Sequence, residues 1–164
     1  MIPYVAWAVQ QQPRATGQGV GEGAPPSPGP SARRRTHVAV VHAVYADLML
    51  RGKKTVECRL SRTRRQPFGA VDAGDVIHFK LAGGGYVALA TVGRVEHVAG
   101  LTPSEVRQLA SRHEPNVLGG RAYWAGKRQA RFATLIWLAE VQPMTIGPAV
   151  GPFNGGAWKI IANG

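Results

Sequence analysis

The run Arg51-Gly52-Lys53-Lys54-Thr55-Val56-Glu57-Cys58-Arg59-Leu60 joins a helix end, a basic turn and a strand. Upstream of it, Tyr45, Leu48 and Met49, with Ala46 and Leu50, have helical spacing. Gly52 stands where a helix places its C′ glycine. Downstream, Val56, Cys58 and Leu60 alternate with Thr55, Glu57 and Arg59, the period of a half-buried strand. Two adjacent ammonium groups repel and cannot both be buried unpaired. One of Lys53 and Lys54 is therefore expected to pair with Glu57 or to meet the C-terminal end of the helix dipole. The other is left for a phosphate or carbonyl oxygen, and a fully solvated turn remains the alternative.

Around this centre the rest of the chain falls into short elements. His37–His42 is β-branched and apolar enough for a buried strand, and Ser61–Asp72 reads as a basic loop. Val76–Leu81 and Tyr86–Val98 flank Gly83-Gly84-Gly85, a hairpin signature. Thr102-Pro103-Ser104-Glu105 predicts a helix start, with Thr102 as N-cap, Pro103 at N1 and Glu105 completing a capping box. That helix is expected to run to about Arg112, before Pro115 and the Gly119-Gly120 break. Phe132–Val141 is a long β-prone run and Ala157–Ile161 a short closing strand. The expectation is an α+β fold, a small mixed β-barrel of five to six strands with two or three flanking helices. No glycine-rich phosphate loop lies between a strand and a helix, which argues against a nucleotide-binding doubly wound fold.

With 20 basic and 9 acidic residues, the 164-residue chain carries a formal charge of +11, which attracts polyanions. Residues 1–36 hold four arginines and one glutamate, so most of the excess belongs to residues 37–164, read as the folded domain. The first 36 residues hold six of the 12 prolines, five glycines and Gln10–Gln12, and are read as a disordered tail. A single cysteine, Cys58, excludes an internal disulfide and CxxC metal sites, and fits a reducing cytoplasm. The five histidines show no convergent ligand spacing, so neither a metal nor a cofactor is expected. No apolar run is long enough to span a bilayer as a helix.

Four pieces together carry a family resemblance. They are Leu50-Arg51-Gly52-Lys53-Lys54-Thr55-Val56-Glu57 with Arg59, Gly74-Asp75-Val76-Ile77-His78-Phe79-Lys80, Tyr123-Trp124 with Gly126-Lys127, and Ala157-Trp158. In this order over residues 37–164 they resemble an ASCH domain of the PUA-like superfamily. The resemblance implies a β-barrel with a cleft beside the glycine-lysine turn, in a family linked chiefly to RNA binding and in some members to hydrolysis. Small amidohydrolases of the family act on acylated cytidine with the second lysine of this turn, a threonine three positions on and a distal glutamate. Here the lysine matches Lys54, but the residue three on is Glu57.

The candidate nucleic-acid-binding residues are Lys53, Lys54, Thr55, Glu57, Arg59, Arg62, Arg64, Arg65, Tyr123, Trp124 and Lys127. Arginines on the loop after Arg59 suit phosphate, which guanidinium binds bidentately. Arg121, Lys127, Arg128 and Arg131 interleave with Tyr123, Trp124 and Phe132, a pattern suited to single strands whose bases stack on rings. The other reading, in which Trp124 and Phe132 are core, stays open. Glu57 is placed to orient Lys54, to accept hydrogen bonds from a base edge, or to act as a general base. The leading expectation is a module that binds RNA, single-stranded or with a modified nucleotide. The alternative is a hydrolase acting on an RNA phosphodiester or a modified nucleoside, with Lys54 and Glu57 as catalytic residues and Tyr45, Tyr86 or Glu57 handling protons. Asp75 is expected to make turn hydrogen bonds to backbone N–H groups.

Overall fold

The structure, a computed structural model, describes residues 34–161. The expected disordered tail, apart from its last three residues, lies outside them. The elements are β1 (Thr36–Val41), α1 (Ala43–Leu50), β2 (Val56–Ser61), β3 (Val76–Leu81), β4 (Tyr86–Ala99), α2 (Pro103–Val117), α3 (Gly120–Lys127), β5 (Phe132–Pro143) and β6 (Trp158–Ile161). All six strands form one sheet in the order β2-β5-β4-β3-β1-β6. Among the described residues only β1 and β3 pair in parallel. The sheet is a curled half-barrel with three helices, an α+β PUA-like fold.

The curl comes from the two longest strands. The β4–β5 ladder slips register twice, between Leu89 and Thr91 and between Val92 and Arg94. Such bulges increase local twist and bend the strand pair. One face of the curled sheet then closes on itself, with Ala39, Ile77, Phe79, Val92 and Ile136 buried together and Met49 of α1 inserted among them. The opposite face of β2 and β5 packs beneath α2 and α3, burying Val56, Cys58, Leu60 and Leu135 against Val106, Leu109 and Trp124. β2 is therefore covered on both sides. Its alternation predicts a half-buried strand, yet Glu57 on the polar face is 5% exposed.

Local signals explain the ends of α1 and the start of α2. Gly52 takes φ +67°, its N–H bonds Met49 O at 2.9 Å and the Lys53 N–H bonds Leu48 O at 2.9 Å, the paired closure of a Schellman motif. Thr102 and Glu105 form the capping box, Thr102 N–H donating to Glu105 Oε2 at 2.7 Å. α2 continues past Arg112 through Pro115, and an αL Leu118 stops it. The sequence does not predict α3, because Gly119-Gly120 reads as a break. Its first amides are held from outside the helix, Gly119 and Gly120 N–H donating to the Glu114 carboxylate at 3.1 and 2.8 Å. The negative charge also suits a helix N-terminus.

Candidate functional site

β2 and β6 end the sheet on opposite sides, and among the described residues no ladder joins them. The resulting seam is a cleft of about 910 Å³. Its floor is the polar face of β2, Glu57 and Arg59, whose ladder partners on β5 are Ile136 and Thr134. Tyr45 of α1, Tyr123 of α3 and Trp158 of β6 form walls, with Arg65 and Lys127 also lining the space. Arg59 Nη2 donates to Val40 O of β1 at 2.9 Å, a side-chain bridge across the seam.

The two lysines of the turn have opposite environments. Lys53 is exposed, whereas Lys54 is 3% exposed. The Lys54 Nζ donates to Val56 O at 2.9 Å and to Val117 O at 2.6 Å. It lies 3.5 Å from Glu57 Oε2 and 5.1 Å from the centre of the Tyr45 ring. Val117 is the last residue of α2, so its carbonyl is one of the four that an α-helix leaves unbonded. The ammonium thus meets a helix C-terminus as expected, but that of α2 rather than of the helix preceding the turn.

Glu57 lies between two cations. Arg59 Nε donates to Glu57 Oε1 at 2.7 Å, and Lys54 faces the other oxygen. This arrangement answers the cost of placing a carboxylate on the inner face of a barrel, which is large for an unpaired charge. The Arg59 guanidinium also lies 5.5 Å from the centre of the Trp158 ring.

A buried polar chain supports Trp158 from behind. Its Nε1–H donates to His37 Nδ1 at 3.2 Å, and His37 Nε2 lies 2.9 Å from Asp75 Oδ2. Indole nitrogen only donates, so Nδ1 is the acceptor and Nε2 carries the proton directed at Asp75. Burial pushes His37 below its ordinary value of 6.5, against the raising effect of Asp75. Burial alone would raise Asp75, but hydrogen bonds from His37 and from the backbone N–H groups of Asp72 and Arg35 hold it below 3.8. Asp75 therefore makes the expected turn contacts and also fixes the histidine.

The cleft brings together Lys54, Glu57, Arg59, Arg65, Tyr123 and Lys127 of the residues singled out in the sequence. It does not include Lys53, Thr55, Arg62, Arg64 or Trp124. Thr55 is exposed and its hydroxyl donates to Asn116 Oδ1 at 3.3 Å. Arg62 and Arg64 are exposed on the loop after β2, Arg64 standing 5.4 Å from the centre of the Phe68 ring. For Trp124 the core reading holds rather than base stacking, for it is packed beneath α3 with its indole N–H on Glu114. Trp158, part of the Ala157-Trp158 piece of the family resemblance, is buried and also lines the cleft. Tyr86 lies outside the cleft, its hydroxyl donating to Pro148 O at 2.6 Å.

Sequence reasoning overlooked His42 and Ser61, which also line the space, and nothing in their local pattern marks them. Tyr45 and Tyr123 have their hydroxyls tied to backbone carbonyls, of Gly119 at 3.2 Å and Cys58 at 2.8 Å. Burial raises the Tyr123 phenol far above its ordinary 10.0. It pushes the Cys58 thiol up to about 12, which makes it a poor nucleophile at neutral pH. Among the described residues no group of three or more His, Cys, Asp or Glu side chains could hold a metal ion. Nor is any helix there long and apolar enough to cross a membrane.

An open PUA-like barrel with its charged cleft at the seam defines the class. Residues 40–138 match the ASCH domain, and the chain belongs to that family. The ASCH protein of Zymomonas mobilis is 21% identical in a match covering 66% of this chain and 69% of that one, with a TM-score of 0.52. A tyrosine-to-phenylalanine variant of the same bacterial protein gives 21% identity, 67% and 73% coverage and a TM-score of 0.53. These likenesses bear on the fold. No curated protein matches the chain.

Proposed function

We propose that the protein binds single-stranded RNA, or RNA with a modified nucleotide, and seats one nucleotide in the seam between β2 and β6. The observation that carries the proposal is the Lys54–Glu57–Arg59 group on the floor of a cleft of about 910 Å³ walled by tyrosine rings. Arg65 and Lys127, which line the same cleft, supply positive charge for the flanking phosphates. The +11 formal charge of the chain and the family's association with RNA support the same reading. Fixed aromatic walls suit a base, whose faces stack on rings whatever its identity.

The test is equilibrium binding of short single-stranded RNA across a salt series. Each phosphate contact contributes a slope of about −0.7 in log affinity against log salt for single strands. Replacing Arg65 and Lys127 together by alanine should weaken binding and flatten the slope by about 1.4, the sum of two such contacts. Salt-independent affinity, or an unchanged slope in the double variant, would overturn the proposal. Lys54 is the wrong position for this test, because its removal disturbs a buried network before it disturbs a ligand.

A hydrolytic reading uses the same cavity, on the strength of the buried Lys54–Glu57 pair. It is the weaker one, since Lys54 already donates to two carbonyls and faces the carboxylate. Turnover of acylated cytidine or of single-stranded RNA without added metal would establish it.

A further inference from the structure

We propose that the base taken into the cleft is guanine, read by the Glu57 carboxylate through its N1–H and N2–H groups. The inference rests on the nucleotide-binding reading above and adds the identity of the base.

An ionised carboxylate only accepts, at about four lone-pair positions on two oxygens. In Glu57 each oxygen already faces one cation, Oε1 taking Arg59 Nε at 2.7 Å and Oε2 lying 3.5 Å from Lys54 Nζ. Each oxygen keeps acceptor capacity, and the residue lines the cleft. The floor therefore presents two acceptors side by side, fixed by charged partners and largely desolvated.

The four RNA bases meet such a surface differently. Guanine alone has two adjacent N–H donors on its Watson–Crick edge, spaced to meet both oxygens of a carboxylate. Cytosine and adenine offer one amino donor beside an unprotonated ring nitrogen, whose lone pair would face the second oxygen. Uracil offers one N–H between two carbonyl oxygens, both repelled by the carboxylate. A buried acceptor pair that rejects lone pairs discriminates strongly, because mismatched polar groups are left desolvated and unpaired.

The remaining polar groups fit the same edge. Arg59 Nε is on Glu57 and Nη2 on Val40 O, while Nη1 has no partner among the described residues. It is the donor nearest in kind to the guanine O6 acceptor. The hydroxyls of Tyr45 and Tyr123 already donate to Gly119 O and Cys58 O, so their protons are committed and the rings serve as walls.

The experiment measures binding of the full chain to short uridine oligoribonucleotides differing at one central position: guanine, adenine, cytosine, uracil or inosine. The guanine oligonucleotide should bind about tenfold or more tightly than the adenine, cytosine and uracil ones, the scale of a good bidentate contact. Inosine lacks the N2 amino group and should lose a large part of that gain. Glu57→Gln places a donor where an acceptor stood and should erase the preference among the bases. Equal affinity for all four bases, inosine equal to guanine, or a preference that survives Glu57→Gln in a folded variant would each overturn the guanine assignment and leave RNA binding standing. Failure to bind any of the oligonucleotides would overturn RNA binding itself. The base and inosine series uses the native chain, so it decides the matter even where Glu57→Gln does not fold.

Discussion

The two faces of β2 are both buried but for different reasons. Val56, Cys58 and Leu60 are covered by α2 and α3, in ordinary apolar packing. Glu57 and Arg59 point the other way, into the mouth of the barrel, where charge is kept only because each group has a fixed partner. The apolar face derives its stability from the area it removes from water. The charged face depends on completeness, since removing one partner from a buried pair leaves the other uncompensated. That charged network faces the cavity, whereas the apolar side faces the helices.

Breaking the charged face should have the largest effect. Lys54→Ala should cost about 3–5 kcal/mol of unfolding free energy, the scale of a broken buried pair. It also leaves the Val56 and Val117 carbonyls without their donor. Denaturant titration measures this, and a loss below about 1 kcal/mol would mean that the charged face behaves like a surface pair. The apolar face should respond next, with Leu60→Ala costing roughly 3 kcal/mol through lost transfer energy and a residual cavity.

Acid should weaken the charged side from behind. Burial holds His37 below 6.5, so the unfolded chain takes up the proton first as pH falls. Stability from His37 is full above 6.5 and declines as pH drops through the folded value. His78 and His113, also lowered by burial, act in the same direction. Asp75, held below 3.8, adds a further loss only below that pH. The thermal midpoint should therefore fall between neutral pH and about pH 5, and His37→Gln should flatten part of that fall. The smallest effect belongs to Lys53→Ala, which should change stability by no more than about 0.5 kcal/mol, as for ordinary surface substitutions.

Much of the fold is legible in local patterns. Gly52, the Thr102–Glu105 box, the Gly83–Gly85 turn and the strand alternations each report on residues a few positions apart. What stays hidden depends on distant partners. Lys54 looks like its neighbour Lys53 until Val117, 63 residues on, supplies a carbonyl for it. The places of Trp124 and Trp158 are hidden for the same reason: α3 folds Trp124 onto Glu114, while β6 brings the buried Trp158 to the edge of the cleft. α3 itself is short and begins with glycine, so isolated propensity would not sustain it. The direction in which β2 turns its charged side is likewise invisible, since alternation separates two faces without saying which faces the cavity.

The bond between Trp158 and His37 joins residues 121 positions apart. β6 pairs with β1, so the wall that it contributes to the cleft depends on closing most of the described chain into a loop. Contacts of such long sequence separation are slow to form and carry the entropy of that closure. Pairing of β6 is therefore expected to come late in folding, after the ladder of β4 and β5. During refolding, amide protection in β4 and β5 should precede that in β6, and the capacity to hold a ligand should rise with the later phase.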